Sequence, residues 1–208
     1  MNQDTLNDST GIFVQGHIKI FDPKSKEIYV DKRNAIHFEN FSEALALSVA
    51  HKANGFIHEL HLGNGGTSVD PTGVITYLPP NTTGQTADLY NKTYYKIVDD
   101  NSALNTDTAR NKIEIRHIPG KVYSDILITC LLDYGEPTGQ AAFDNLENLD
   151  APFVFDELGL KSWTGTTAGA GKLLTHVVFH PVQKSLNRLI QIDYTVRIQA
   201  LTNLTSQV

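Results

Sequence analysis

Residues 188–201 read RLIQIDYTVRIQAL. Ile190, Ile192, Tyr194, Val196, Ile198 and Ala200 alternate with Gln191, Asp193, Thr195, Arg197 and Gln199. This is the period of two that sends successive side chains to opposite faces of a strand. The even face is assigned to a core, the odd face to water or a polar partner. A strand this long with two such unlike faces predicts a mainly β fold, an antiparallel sandwich or an open barrel.

The same period recurs outward from that segment. GIFVQGHIKIF (11–21) carries Ile12 and Val14 and, past Gly16, Ile18 and Ile20; DPKSKE then supplies turn residues before IYV, which predicts a hairpin. From Phe56 onward, FIHELHL, VITYL, YYKIV, KIEIRHI, KVYSDILITCLLDY and KLLTHVVFH read as strands punctuated by Gly, Pro, Asn, Asp, Ser and Thr. One segment departs from the period. In ENFSEALALSVAHKANG (39–55), Phe41, Leu45 and Val49 fall at helical spacing, Asn40 and Glu43 form a capping box, and Asn54-Gly55 supplies a stop. This predicts one short amphipathic helix over about residues 41–53. Residues 79–112 are polar and turn-rich and read as long surface loops. EPTGQAAFDNLENLDAP (136–152) reads as holding a short helix and SWTGTTAGAGK (162–172) as a small-residue loop. The expected organisation is a flexible arm over residues 1–11 and a single β-rich domain over 12–208.

Composition narrows the function classes. The 208 residues are 40% hydrophobic and 19% charged, with a formal charge of −6 that argues against a phosphate-neutralising surface and so against direct sequence-specific nucleic-acid binding. Cys130 is the only cysteine and lies in the apolar run DILITCLL, so it is expected to pack as a small buried hydrophobe in a chain suited to a reducing compartment. MNQDTLNDST lacks the pattern of a signal peptide, and no apolar run approaches about 18 residues, so no membrane partner is expected.

The stretch most suggestive of chemistry is FIHELHLGNGGTSVDPTG (56–73). A metallopeptidase helix needs histidines four apart with a glutamate beside the first. His58 and His61 are three apart, in a strand that would send their rings to opposite faces, so the alternative of a metal-dependent hydrolase built on them is disfavoured. His176 and His180 share a face but lack a clustered partner. The glycines have neither the lysine of a phosphate loop nor a following helix; Asn64, Gly65 and Gly66 are expected to form a structural turn at positive φ. Asp99-Asp100 and Asp156-Glu157 lack calcium-loop spacing. No catalytic, metal or cofactor-binding residue is indicated, and no cofactor.

RNAIHFEN (33–40), the short helix of small and apolar residues, and FIHELHLGNGGTSVDPTGVITYL (56–78) together resemble the N-terminal module of structural proteins in tailed-bacteriophage virions. Such proteins often carry an Asn-Ala-Ile segment, a short helix, and a strand running into a Gly-x-Gly-Gly-Thr turn. The resemblance covers about a quarter of the chain. It implies a non-enzymatic, β-rich, cysteine-poor subunit that forms a homo-oligomeric ring or attachment at the neck, collar, tail or baseplate. Portal, neck, tail or capsid proteins would then be its partners, and the virion its location after folding in the host cytoplasm. A capsid decoration protein is the alternative within that class. Outside it stands a carbohydrate-binding β-sandwich module with Trp163 and tyrosines as platforms, for which a single tryptophan is a thin supply.

Overall fold

A computed structural model describes residues 11–139 and 153–201. Eleven strands and one helix follow in order: β1 Gly11–Phe21, β2 Ile28–Ile36, α1 Phe38–Val49, β3 Ile57–Gly63, β4 Thr67–Val69, β5 Ile75–Tyr77, β6 Lys92–Ile97, β7 Lys112–His117, β8 Tyr123–Leu132, β9 Phe153–Ser162, β10 Thr175–Lys184 and β11 Ile190–Leu201. Nine of them form one antiparallel sheet in the order β6-β3-β9-β10-β2-β1-β11-β8-β7, and β4 and β5 make a small separate ribbon. The large sheet curls strongly into a half-barrel.

The long C-terminal strand is the spine of one half. β11 lies between β1 and β8, with Tyr194 opposite both Ile18 and Ile128, and Ile192 opposite Ile20 and Cys130. All six of these side chains are buried. The expected core face holds at Ile190, Ile192, Tyr194 and Val196; Ile198 is half-buried and Ala200 exposed where the strand runs out. Burial raises the Cys130 thiol to about 12, so it stays protonated and packs as an apolar side chain.

The other half is β6-β3-β9-β10. The two halves meet at a narrow seam, where β10 pairs with β2 only at Thr175 with Ile36 and His176 with Ala35. Lys32 adds a side-chain bond to the Val178 carbonyl across it. A sheet so weakly stitched in its middle folds over, and the two concave faces meet around Phe153, Phe155, Phe179, Leu158 and Leu160. On the open side Lys96 of β6 reaches the Leu131 carbonyl of β8 and the Glu136 carboxylate. Lys184, whose ammonium is drawn down to about 8 by burial, donates to the carbonyls of Asp133, Glu136 and Ser185.

Four expectations are corrected. The helix starts earlier than residue 41 and ends before residue 53: its N-cap is His37, whose Nδ1 accepts from the Asn40 N–H, so Asn40 is not the cap. Asn40 instead donates its side-chain amide to the Leu173 carbonyl, and Glu43 pairs with Lys172 rather than closing a capping box. The helix stops through His51 at φ 52°, with His51 N–H on Ser48 and Lys52 N–H on Leu47, the Schellman arrangement, ahead of Asn54-Gly55. β1 begins at Gly11, so the strand reaches one residue into the segment assigned to the arm. The rest of that arm, and residues 140–152 of the expected second helix, lie outside the described residues. β9 is a full central strand that the alternation of the sequence does not reveal.

Replacing Val196 with aspartate places an unpaired carboxylate in the core, and its expected cost is on the order of 4 kcal/mol or more. Thr195→Arg, on the opposite face, is expected to fold and melt like the parent. Circular dichroism melts of both variants check this; a Val196→Asp protein with parental stability would reverse the faces.

Candidate functional site: an acid and imidazole layer under the loops

Over the convex face of β3, β9 and β10 the described residues place only the small β4–β5 ribbon, against β10, and loops. Loop backbone cannot be buried unless its N–H groups find acceptors. The sheet supplies them as carboxylates. In β9, the pairing with β10 slips between Val178 and Val182, and the irregularity sets Asp156 and Glu157 side by side under the loops while Phe155 and Leu158 both stay in the core.

Glu157, with no exposed surface, receives four hydrogen bonds. Oε1 accepts from Gly65 N–H at 3.1 Å and Asn91 N–H at 2.8 Å; Oε2 accepts from Tyr90 N–H and His176 Nε2 at 3.0 Å each. Asp156 takes the next two amides, Gly66 N–H and Thr67 N–H at 2.9 Å each, together with the Thr67 hydroxyl. Two adjacent carboxylates thus fasten the segment after β3 and the segment before β6 to one strand. Burial alone would raise the Glu157 carboxyl; the bonds from His176, Asn91, Tyr90 and Gly65 outweigh it and hold it below the usual range.

The glycines of the opening motif now have a different explanation. Gly65 and Gly66 are not at positive φ. They are glycines because nothing larger fits: a Cβ on Gly65 would lie 2.7 Å from the Asn91 nitrogen, and one on Gly66 would lie 2.9 Å from a Val178 methyl. The chain bends at Asn64 and Gly66, and close approach to the carboxylates shapes that bend, together with the bond from Leu78 N–H to the Gly66 carbonyl. Asn64 belongs to it through its N–H bond to the Asn91 carbonyl.

His58 and His61 do not leave opposite faces. The register of β3 on β9 shifts between Ile57 and Glu59, inserting His58 as an extra residue. Both imidazoles then grip one carboxylate: His58 Nδ1 lies 3.1 Å from Glu59 Oε1 and His61 Nε2 lies 2.7 Å from Oε2. Gly169 N–H bonds both oxygens at 2.9 Å and so pins the loop after β9. A local bulge, invisible to a strict period of two, reverses the expected geometry. His58 Nδ1 faces the Glu59 carboxylate, and its Nε2 lies 3.0 Å from the Ser102 hydroxyl. His176 accepts from Asn81 N–H at Nδ1 and donates from Nε2. His61 donates from Nε2, and its buried Nδ1 has no hydrogen-bond partner. A fourth tie, Lys161 to both oxygens of Asp88 at 2.9 Å, draws residues 78–91 onto the sheet.

This layer contains side chains typical of catalytic and metal sites, here bonded to one another and to loop backbone. Each carboxylate is spent on backbone N–H groups and imidazoles of its own chain. Among the described residues, no group of three or more His, Cys, Asp or Glu is placed to hold a metal ion. His176 and His180 do not combine: His176 is fully buried on Glu157 while His180 is exposed near Tyr77. Asp99 and Asp100 cap local turns and the start of β7. Trp163 stacks on His58 at 4.2 Å between ring centres instead of standing in a flat aromatic row. Glu157, Asp156, Lys161 and Asp88 were the members of the layer that the sequence did not point to as a group, because the Asp-Glu doublet breaks the alternation of Phe153, Phe155, Leu158 and Leu160.

A second feature lies on the concave side, beside α1. There the half-barrel leaves a groove of about 770 Å³, lined chiefly by apolar side chains including Phe41, Leu45, Ile113, Ile115, Ile126 and Ile198. One wall is β7, an edge of the sheet. Comparisons with protein-family models, with curated proteins and with solved structures find no match.

Two predictions follow from the layer. Gly65→Ala should cost about 1–3 kcal/mol through overlap with the Asn91 backbone, measured by chemical unfolding; unchanged stability would remove the close-approach account. Stability should also fall with acid. Burial lowers the His61 pKa below 6.5 despite its bond to Glu59, so the unfolded chain takes up the proton first and stability is lost as pH falls through 6.5. Glu59 is held at about 2, because the bonds from His58, His61 and Gly169 outweigh burial; its contribution is full above 4.5 and disappears as pH falls toward 2. Melts from pH 7.5 to 5 should show the first loss, and His61→Gln should flatten that segment of the curve.

Proposed function

We propose that this chain is a non-enzymatic structural subunit of a tailed-phage virion, acting as a homo-oligomer at the neck or tail. The observation that carries this reading is the fate of the reactive-looking groups. The buried glutamates and histidines of β3, β9 and β10 bond to loop backbone and to one another, which supports a structural duty for them. The segments tied down at residues 64–67 coincide with the glycine-rich part of the phage-like motif, so the resemblance falls on residues with a structural duty. The groove and the β7 edge are surfaces of the kind that subunits use against one another. In this reading the partners are further copies of the chain and neighbouring portal, neck, tail or capsid proteins.

The test is assembly. Native mass spectrometry of the purified chain, alone and mixed with the proteins encoded by adjacent genes, should find a defined oligomer and a stable complex with at least one portal, neck or tail protein. A chain that joins none of them, and that is missing from purified particles by peptide mass spectrometry, would end this reading.

A further inference from the structure

We infer that the outer edge of β7, paired with no further strand among the described residues, is a homotypic contact, pairing antiparallel with β7 of a second copy about a twofold axis through Ile115. The proposal rests on the homo-oligomer reading above and specifies the surface that makes it.

The backbone comes first. β7 pairs with β8 and forms one end of the nine-stranded order. Ile113 N–H turns away from β8 to the Asp100 carboxylate, so residues 113, 115 and 117 direct their backbone groups off the edge while 112, 114 and 116 bond to β8. Glu114, Ile115, Arg116 and His117 are exposed, Ile115 by 67%. A second strand meeting this edge must present the same outward-directed residues, so only every other register is open to it.

Charge then selects among those registers. With the axis at Ile115, Glu114 lies opposite Arg116 of the second copy and Arg116 opposite its Glu114. Centred on Glu114, the pairing would set Glu114 against itself and Lys112 against Arg116; centred on Arg116, it would set Arg116 against itself. Centred on Ile113, the pairing would match Lys112 with Glu114, but it needs the Ile113 N–H that Asp100 already holds; like charges directly opposite are destabilising, so the Ile115 register is the one that matches opposite charges with the backbone groups at its centre open. The match also continues a row already present. Arg116 is in register with Asp125, and Asp125 with Arg197, whose guanidinium grips it through two bonds of 2.7 and 2.8 Å. A Glu114 from the second copy completes an acid, base, acid, base sequence across four strands. Within one chain Glu114 meets Lys112 at 3.2 Å, an exposed pair that contributes little and is readily exchanged.

The inner face agrees. Ile113 and Ile115 point into the apolar groove with Ile126 and Ile198. In the Ile115 register the two Ile115 side chains meet at the axis and cover that wall from water. Ile115 exchanges both backbone bonds with its copy, and His117 N–H reaches the Ile113 carbonyl of the second copy. Pro119, which has no N–H to give, falls just beyond the paired stretch.

The experiment uses the full chain and charge reversal. Glu114→Arg makes both cross-axis pairs repulsive, as does Arg116→Glu, and each variant alone should lose self-association about tenfold or more by analytical ultracentrifugation. Mixing the two variants should restore it as a heteropair, because the arginines of one then face the glutamates of the other; the doubly reversed Glu114→Arg, Arg116→Glu chain should recover on its own. As a second measurement, Ile115→Cys should form an intermolecular disulfide on mild oxidation, the native Cys130 being fully buried. A parent chain that is monomeric at all concentrations, single variants that associate like the parent, or a mixture with no preference for the heteropair would each overturn the β7 contact. If those results came with normal incorporation into a virion assembly, the structural role would stand without this surface. Failure to join any assembly would end the structural role whatever β7 does.

Discussion

The buried carboxylate of Glu157 is the point on which the outer half of this molecule depends. A sheet of nine strands with one face in the core must cover the other face or leave it wet. Here the covering is loop, whose amides cannot be buried without acceptors. Glu157 accepts from two separate segments and from His176, and Asp156 beside it accepts from the first of those segments again. A buried carboxylate is costly by itself. Surrounded by four donors it becomes the means by which polar chain is held against a strand, and removing it would strand all four at once.

The imidazoles extend the same logic. His58 and His61 hold Glu59 so that it can take Gly169 N–H, and His176 holds Glu157 while accepting from Asn81. Each histidine links a carboxylate to its surroundings. These acids and imidazoles hold loop backbone against the sheet.

The half-barrel explains where that surface ends. Its halves are joined by a two-residue seam at β10 and β2, and its open side is bridged by Lys96 and Lys184 through carbonyl groups. The two halves are tied through side chains where these lysines lie, and beside α1 the apolar groove and the edge of β7 remain. A closed barrel would have removed both. The incomplete one keeps an apolar wall and a strand edge with self-complementary charge on the same border.

The amino-acid order alone determined the mainly β class, the β1–β2 hairpin and the two faces of β11, because alternation over a long strand reflects burial directly. It also determined the burial of Cys130 and the presence of a short helix after β2. It did not determine the strand β9, since Asp156-Glu157 and Lys161 interrupt the apolar pattern, and their charges are acceptable there only because loops distant in sequence fold over them. Nor did it determine the cap of α1, which depends on the ring of His37, or the relation of His58 to His61, which a one-residue bulge inverts. Gly65 and Gly66 were legible as a bend in the chain, but the reason for glycine lies in Asn91 and Val178, far along the chain. Periodicity records which face of an element is buried; only the tertiary structure decides which distant backbone will need a partner, and that need placed the acids and histidines of this protein.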